Sequence, residues 1–239
     1  MALFALGQSQ EGKDDSVIHD SLAGNLCRCT GYRPIVDAAR IGCMENVSYE
    51  QRALEPPPYK YQKKNQTFYM PKSLNELVSL KGLVKGAMLL SGGTDLGLSI
   101  SKDRVVPESV IYTGHVVELR EIIETKEELI LGAAVTYTEA LSYIKRLFPS
   151  FEELIRRIGS RQIRNLGTVG GNIGNASPIG DTLPCLISLD ASLTLASVES
   201  EREVPIEDYF VGYRETCLKT NEVIKNIKIP TLLDNQMFR

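Results

Sequence analysis

Two glycine-rich segments and one closely spaced cysteine pair hold residue types from which ligand chemistry can be built. The first segment, Leu89-Leu90-Ser91-Gly92-Gly93-Thr94-Asp95-Leu96-Gly97, directly follows an expected strand. The second, Gly167-Thr168-Val169-Gly170-Gly171-Asn172-Ile173-Gly174-Asn175-Ala176-Ser177-Pro178-Ile179-Gly180-Asp181, repeats the same small, polar chemistry. Consecutive glycines lack the side chains that would hold a diphosphate away from the main chain, and their N–H groups can curve into an anion-binding nest. Thr94, Thr168, Asn172, Asn175 and Ser177 add short donors at the same places. Either segment alone reads first as a tight turn; two with matching chemistry shift the reading toward a shared ligand. Gly92 and Gly97 have P-loop spacing, but Leu98 stands where that motif requires lysine. Neither segment has the strand, G-x-G-x-x-G, helix order of a dinucleotide fingerprint.

The cysteine pair lies in Gly24-Asn25-Leu26-Cys27-Arg28-Cys29-Thr30-Gly31-Tyr32-Arg33-Pro34-Ile35. Two thiolates one residue apart can face a single metal centre with Arg28 offsetting their charge, although iron–sulfur and zinc centres usually take four ligands. Cys43 is the nearest further thiol, and neither His19 nor His115 has metal-ligand spacing to the pair. By spacing alone, Cys27 and Cys29 are equally a metal half-site and a structural pair. No catalytic residue is assigned: the two histidines are isolated and no two carboxylates have the spacing of an acid–base pair.

The elements that would position these residues are partly legible. Three S/T-x-x-E patterns, Ser73 with Glu76, Thr136 with Glu139 and Ser150 with Glu153, predict helix starts as capping boxes. Leu74, Leu77 and Val78 follow the first at helical spacing, with Gly82 as its stop; Leu141, Ile144, Leu147 and Phe148 follow the second, ended by Pro149. Strands are expected near residues 87–90, 129–133, 193–198 and 223–229, the last alternating before Pro230 as a half-buried strand would. Asp181 precedes Thr182-Leu183-Pro184-Cys185-Leu186-Ile187 and can cap that helix, touch a ligand, or do both. Arg161, Gln162 and Arg164 offer themselves as phosphate partners, with a solvated face expected for at least one of them, while Tyr213 and Arg214 are read as packing residues and Cys185 and Cys217 as structural.

Residues 1–54 are helical in pattern, and Met1–Leu6 reads as part of a helix rather than as a signal peptide. The run Glu55-Pro56-Pro57-Pro58, followed by polar residues through Gln66, predicts a linker over 55–66. From residue 67 to 239 the pattern is mixed, which predicts an α+β domain. The chain has 239 residues, 43% hydrophobic and 24% charged, with a net charge of -3, so nothing in its electrostatics calls for nucleic acid or an anionic membrane. No apolar run is long enough to span a bilayer. Five cysteines are too few and too odd in number for a secreted disulfide scaffold, and predict reduced thiols and a cytoplasmic location.

The motif Cys27-Arg28-Cys29-Thr30-Gly31-Tyr32-Arg33-Pro34-Ile35 resembles the second half of the inner [2Fe-2S] motif of molybdenum hydroxylases of the xanthine dehydrogenase type. By that resemblance Met1–Leu6 looks like the helix after an upstream cysteine pair, so the chain is expected to begin inside a helical [2Fe-2S] domain. Only two of its four cluster ligands, Cys27 and Cys29, would then be present. From Phe68 onward the chain is similar to the FAD-binding domain of the same family, through Leu89–Leu98, Ile130–Thr136, Gly159–Pro184, Tyr209–Thr216 and Glu222–Pro230. The resemblance implies a two-subdomain PCMH-type FAD-binding fold, shared with vanillyl-alcohol oxidases and a cell-wall reductase. It implies that Leu90, Ser91, Gly92, Gly93, Thr94, Asp95 and Leu96 meet the FAD diphosphate, with Thr168, Gly171, Asn172, Asn175 and Asp181 around the cofactor. Ile158 stands where the family often places an aromatic beside the flavin ring. The family continues beyond Arg239 into a small subdomain shaping the nicotinamide side, so no residue is assigned to NAD, which stays a candidate acceptor. The implied partners are a molybdenum-cofactor-binding subunit and an iron–sulfur domain or subunit. The implied role is electron transfer from iron–sulfur clusters through FAD. A non-catalytic docking fragment of such a complex is the alternative; an independent FAD oxidase is disfavoured by the CRCTGYRPI segment, for which it has no use.

Overall fold

A computed structural model describes residues 1–43, 59–177 and 180–232, and the chain divides into two compact units. One unit is Met1–Pro56 with Gly159–Arg164; the other is Pro57–Ile158 with Asn165–Arg239. In the first, α1 (Ala2–Gln8), α2 (Asp15–Leu22) and α3 (Arg33–Gly42) pack around Leu6, Ile18, Val36, Ala39 and Cys43. Asp14 caps α2 by accepting from the amides of Ser16 and Val17. Pro34 lies in the first turn of α3, where its missing N–H costs nothing.

The second unit opens with a hairpin of β1 (Lys60–Lys63) and β2 (Gln66–Tyr69), paired antiparallel across Lys64-Asn65. This corrects the expectation of a linker through residue 66. Tyr59, Tyr61, Phe68 and Tyr69 favour extended pairing, and Lys64 takes the left-handed conformation (φ 52°) that a two-residue turn needs. The Glu55–Pro58 part of the expected linker lies outside the described residues. α4 (Leu74–Leu83), β3 (Met88–Leu90), α5 (Leu96–Ser101) and β4 (Ser109–Tyr112) follow, giving a sheet in the order β1-β2-β4-β3 with β4 parallel to both β2 and β3. A 3-10 turn (Val117–Arg120) leads to β5 (Ile122–Glu124) and β6 (Glu128–Gly132). Then come α6 (Tyr137–Leu147), α7 (Pro149–Arg157), α8 (Arg161–Arg164), α9 (Val169–Gly174) and α10 (Thr182–Ser188). β7 (Ser192–Ala196), β8 (Glu201–Pro205), α11 (Ile206–Tyr209), β9 (Phe210–Gly212), β10 (Glu215–Thr216) and β11 (Val223–Pro230) complete the described chain. The second sheet is antiparallel, in the order β5-β6-β11-β7-β8, and buries Leu129, Leu131, Leu193, Leu195, Ile227 and Ile229 in the core it shares with α4, α6 and α7. The fold is α+β.

Two of the three expected caps form. Ser73 accepts from the Glu76 amide, and Thr136 with Glu139 makes a complete reciprocal box. The third does not: Pro149, with its fixed φ, occupies the first turn of α7, so the helix starts a residue early and Ser150 lies inside it. Gly82 does not stop α4, which runs on to Leu83. Tyr213 and Arg214, expected to pack, form the tip of the β9–β10 hairpin, where Tyr213 is 77% exposed. No helix among the described residues is long and apolar enough to cross a membrane.

Candidate functional site

The first glycine-rich segment leaves the C-terminal end of β3, the edge strand on the side of the sheet away from the β1–β2 hairpin, where the chain is free of the ladder. The Leu90 carbonyl accepts from Thr113 N–H at 2.8 Å, and beyond it the chain turns through Gly93 (φ 71°) into α5. Among the described residues, the amides of Gly92, Gly93, Thr94 and Asp95 donate to no protein acceptor. Ser91 to Thr94 are half-buried, so this is a run of unpaired donors in a partly shielded place. Buried donors are normally paired, and a consecutive run of free amides around a positive-φ glycine is the geometry of an anion nest.

The second segment behaves differently. Gly167 to Gly174 was expected to present amides as well, but from Val169 onward its amides are used internally. Val169 N–H donates to the Val135 carbonyl (3.0 Å), Gly170 N–H to the Ala133 carbonyl (3.1 Å) and Gly171 N–H to Thr168 Oγ1 (3.1 Å). Residues 169–174 form the short helix α9, capped by Thr168, despite three glycines. Helix propensity alone disfavours this. Tertiary packing requires it, because a Cβ on Gly170 would lie 2.5 Å from the Ala133 Cβ.

The two segments meet. Thr168 Oγ1 donates to Ser91 Oγ at 3.1 Å, and Asn175 Nδ2 donates to an Asp95 carboxylate oxygen at 2.8 Å. A Cβ on Gly92 would fall 1.7 Å from the Leu166 carbonyl oxygen, so this contact of main chain with main chain requires glycine. Asn172 Oδ1 accepts from Thr182 Oγ1 (2.9 Å), whose hydroxyl lies 3.4 Å from that of Tyr137. Burial pushes the Tyr137 phenol up to about 12, so it stays a neutral hydrogen-bonding group. The structure thus joins Ser91, Gly92, Asp95, Thr168, Gly171 and Asn175 at one place, with Asn172 on the next turn of α9 and Leu90 and Leu96 half-buried at the ends of the first loop. Leu166, Thr182 and Tyr137 were missed by sequence reasoning, and Thr182, only 1% exposed, carries no motif that would have marked it.

Asp181 stands apart. It occupies the N-cap position of α10 without making the capping hydrogen bond, is exposed, and lines a shallow cleft with Ser150, Glu153, Leu154 and Arg157. Among the described residues it bonds to neither loop. Arg161, Gln162 and Arg164, candidates for phosphate or solvent, turn instead to acidic and backbone partners in the helical unit. Arg161 pairs with Glu11, Arg164 with Asp20, and Gln162 donates to the Ser21 carbonyl at 2.9 Å.

In the helical unit, Gly31 and Tyr32 both adopt positive φ (64° and 66°) and curl the cysteine loop into the start of α3. Tyr32 Oη accepts from Cys27 N–H at 2.8 Å, and Cys27 Sγ accepts from Cys29 N–H (3.4 Å) and Thr30 Oγ1 (3.6 Å). These donors, the Thr30 hydroxyl first, lower the Cys27 pKa below the usual thiol value and favour the thiolate a metal centre needs. Cys29 is exposed beside it. Cys43 is no third ligand: it is buried in the helical core with Sγ against the Leu3 carbonyl. Among the described residues no three His, Cys, Asp or Glu side chains gather at a metal-binding spacing. Cys27 and Cys29 therefore fit half of a four-ligand cluster site, and no chemistry is derived through such a cluster.

Comparison with known proteins agrees with this division. Residues 60–232 match the family described as the FAD binding domain in molybdopterin dehydrogenase, and residues 1–40 match a [2Fe-2S] binding domain. The chain is 27% identical to xanthine dehydrogenase of Emericella nidulans, over 97% of this chain and 22% of that protein. It is also 27% identical to xanthine dehydrogenase/oxidase of Gallus gallus, over 100% of this chain and 24% of that protein. The chain thus spans under a quarter of the length of these relatives. Among solved structures, a carbon monoxide dehydrogenase chain of Hydrogenophaga pseudoflava superposes with TM-score 0.67 and 29% identity, over 76% of this chain and 62% of that one. A chain of the Oligotropha carboxidovorans carbon monoxide dehydrogenase gives 0.66 and 27%, over 75% and 62%. A family match running from residue 60 to 232, together with the two loops joined there, makes this chain a member of the FAD-binding domain family of molybdopterin dehydrogenases, with a [2Fe-2S] binding-domain segment at its start.

Proposed function

We propose that this chain holds FAD in the cleft between its two glycine-rich segments, as the electron-transfer piece of a molybdenum hydroxylase of the xanthine dehydrogenase type. The observation that carries the reading is the run of unpaired amides from Gly92 to Asp95, in a segment joined to the second one by the Thr168–Ser91 and Asn175–Asp95 hydrogen bonds. A diphosphate is the ligand such a run fits, because its oxygens accept several donors at once and its charge is met by fixed dipoles rather than by a mobile cation. Ser91, Thr94 and Thr168 add hydroxyls, Asn172 and Asn175 add amides, and Leu90 and Leu96 exclude water at the ends of the loop. Asp181, exposed beside α10 and bonded to neither loop among the described residues, is kept around the cofactor on the family resemblance alone. FAD, when bound, supplies the one- and two-electron chemistry that no side chain here can perform. The protein's work is to bind the cofactor, orient it and exclude water around it. Cys27 and Cys29 are proposed as two ligands of a [2Fe-2S] cluster, the rest coming from outside the described residues. The electron source is a molybdenum-bearing partner, the acceptor is NAD or another oxidant, and the setting is the cytoplasm, in keeping with five unpaired cysteines.

Retention through gel filtration tests the reading. The purified chain should keep FAD, with its visible absorption bands, and release riboflavin, which lacks the diphosphate. Equal loss of both flavins would overturn the assignment and leave a docking module.

A further inference from the structure

Asn172 sits on α9 between Gly171 and Asn175, half-buried, and its main-chain N–H is spent on the Thr168 carbonyl (3.1 Å). What it has left to offer a ligand is its carboxamide, which accepts through oxygen and donates through nitrogen. The two ends are used differently. Oδ1 accepts from Thr182 Oγ1 at 2.9 Å, whereas Nδ2 donates to no acceptor among the described residues. Asn172, Thr182 and Tyr137 all belong to the larger compact unit.

The direction of this contact is set from behind. Thr182 is 1% exposed and Tyr137 4%, and the Tyr137 hydroxyl lies 3.4 Å from that of Thr182. A phenol carries one hydrogen, and burial, which pushes Tyr137 up to about 12, keeps that hydrogen in place. Among the described residues the Thr182 hydroxyl is its one hydrogen-bond partner. Thr182 therefore accepts from Tyr137 and passes its own hydrogen to Asn172 Oδ1, so the three groups form a chain of one polarity. A flipped carboxamide would put Nδ2 on Thr182, turn the threonine hydrogen back toward Tyr137 and leave a buried phenol hydrogen without an acceptor, which is unfavourable. The 2.9 Å bond is the stronger of the two, and 3.4 Å is long for a hydroxyl pair. Thr182 thus holds the amide, and Tyr137 biases its direction. Tyr137 is itself fixed at the start of α6, where its N–H donates to the Gly167 carbonyl at 3.0 Å.

We infer that Thr182 and Tyr137 are positioning residues, which lock the Asn172 carboxamide with its oxygen on Thr182 and its NH2 group free, so that α9 offers the ligand a side-chain donor of fixed polarity. The ligand atom it suits is an acceptor, such as a carbonyl or phosphate oxygen. That the ligand is FAD rests on the function proposed above; the lock itself does not.

Nuclear magnetic resonance of the flavin-free full chain with isotopically labelled asparagine tests the lock, the Asn172 side-chain signals being identified by their loss in Asn172→Ala. The unmodified chain and Thr182→Ser, which keeps the hydroxyl, should each give one sharp pair of NH2 signals. Thr182→Val should split or broaden that pair as the amide samples both orientations, and Tyr137→Phe should do so to a smaller extent. Should Thr182→Val fail to fold, Tyr137→Phe must show the change. A sharp pair that survives loss of the hydroxyl, or a Thr182→Ser pair as disordered as that of Thr182→Val, would overturn the lock. FAD titration of the same proteins reads its consequence. Thr182→Val should weaken binding about three- to tenfold, as for one neutral hydrogen bond, with Thr182→Ser restoring it. In the Asn172→Ala background the same change should do nothing further; an equal loss there would make Thr182 structural only. An unmodified chain that refuses FAD sinks the functional reading, and the resonance data still decide the lock.

Discussion

At the scale of single residues, the junction of the two segments depends on what glycine omits and on what short polar side chains add. Gly92 is the sharpest case, because the atom a methyl would strike is the Leu166 main-chain oxygen at 1.7 Å, which no rotamer change can move aside. Gly92→Ala should push the two segments apart, lower stability by about 1–3 kcal/mol and abolish FAD retention; thermal unfolding and a flavin fluorescence titration check both effects. Thr168→Val keeps the shape while removing the hydroxyl that caps Gly171 N–H and bonds Ser91. Loss of such a cap costs about 1 kcal/mol, and FAD affinity should fall with it. A variant as stable and as tight-binding as the parent would show that the hydroxyl is idle. These residue types were legible in the sequence, although each glycine pair beside Ser, Thr and Asn reads by itself as a tight turn and only their recurrence points to a shared ligand. Their division of labour was not. Which loop keeps its amides free depends on Val135 and Ala133 supplying acceptors to one of them, and those carbonyls belong to a distant part of the chain.

At the scale of elements, local signals succeeded where the physics is local. The Thr136–Glu139 box and the alternating strand that became β11 are patterns written within a few residues. α9 is the contrary case: three glycines in six residues argue against a helix, and only the close approach to Ala133 justifies it. Between elements, the Glu222 carboxylate, 5% exposed, takes two bonds of 2.8 Å from Arg202 on β8 and one of 2.9 Å from Lys219 N–H, tying β8 to the turn before β11. Arg202, with help from Lys219, holds the Glu222 carboxyl below the usual carboxylate range. A depressed folded-state value means the stabilisation is present above the unfolded Glu value of about 4.3 and is lost as pH falls through the folded one. The urea midpoint should therefore drop as pH falls below the unfolded Glu value of about 4.3, and Glu222→Gln should flatten that part of the profile while lowering stability at neutral pH. A parallel fall in both proteins would remove Glu222 as a source of acid sensitivity.

At the scale of the whole molecule, the proposed FAD site would link binding to folding, because a ligand held by two loops that meet only in the folded chain favours that chain alone. At a free FAD concentration near 100 times its Kd the gain is about 2.7 kcal/mol, which for a chain of this length raises Tm by roughly 5–10 °C. Calorimetry with FAD and with riboflavin reads it, and equal shifts for the two would count against the diphosphate as the anchor. What the amino-acid sequence determined by itself was the chemistry on offer: two small-residue loops, a cysteine pair, a helical beginning and an α+β remainder, each encoded within runs of ten or so residues. Tertiary structure alone decided which groups meet. It set Asp95 against Asn175 and Gly92 against Leu166, left Asp181 facing solvent, and enrolled Arg161 and Arg164 with carboxylates some 150 residues away. The reason is physical: a lone charged or glycine residue has the same local pattern whether it faces water, a ligand or a buried partner, and only the packing of distant segments distinguishes them.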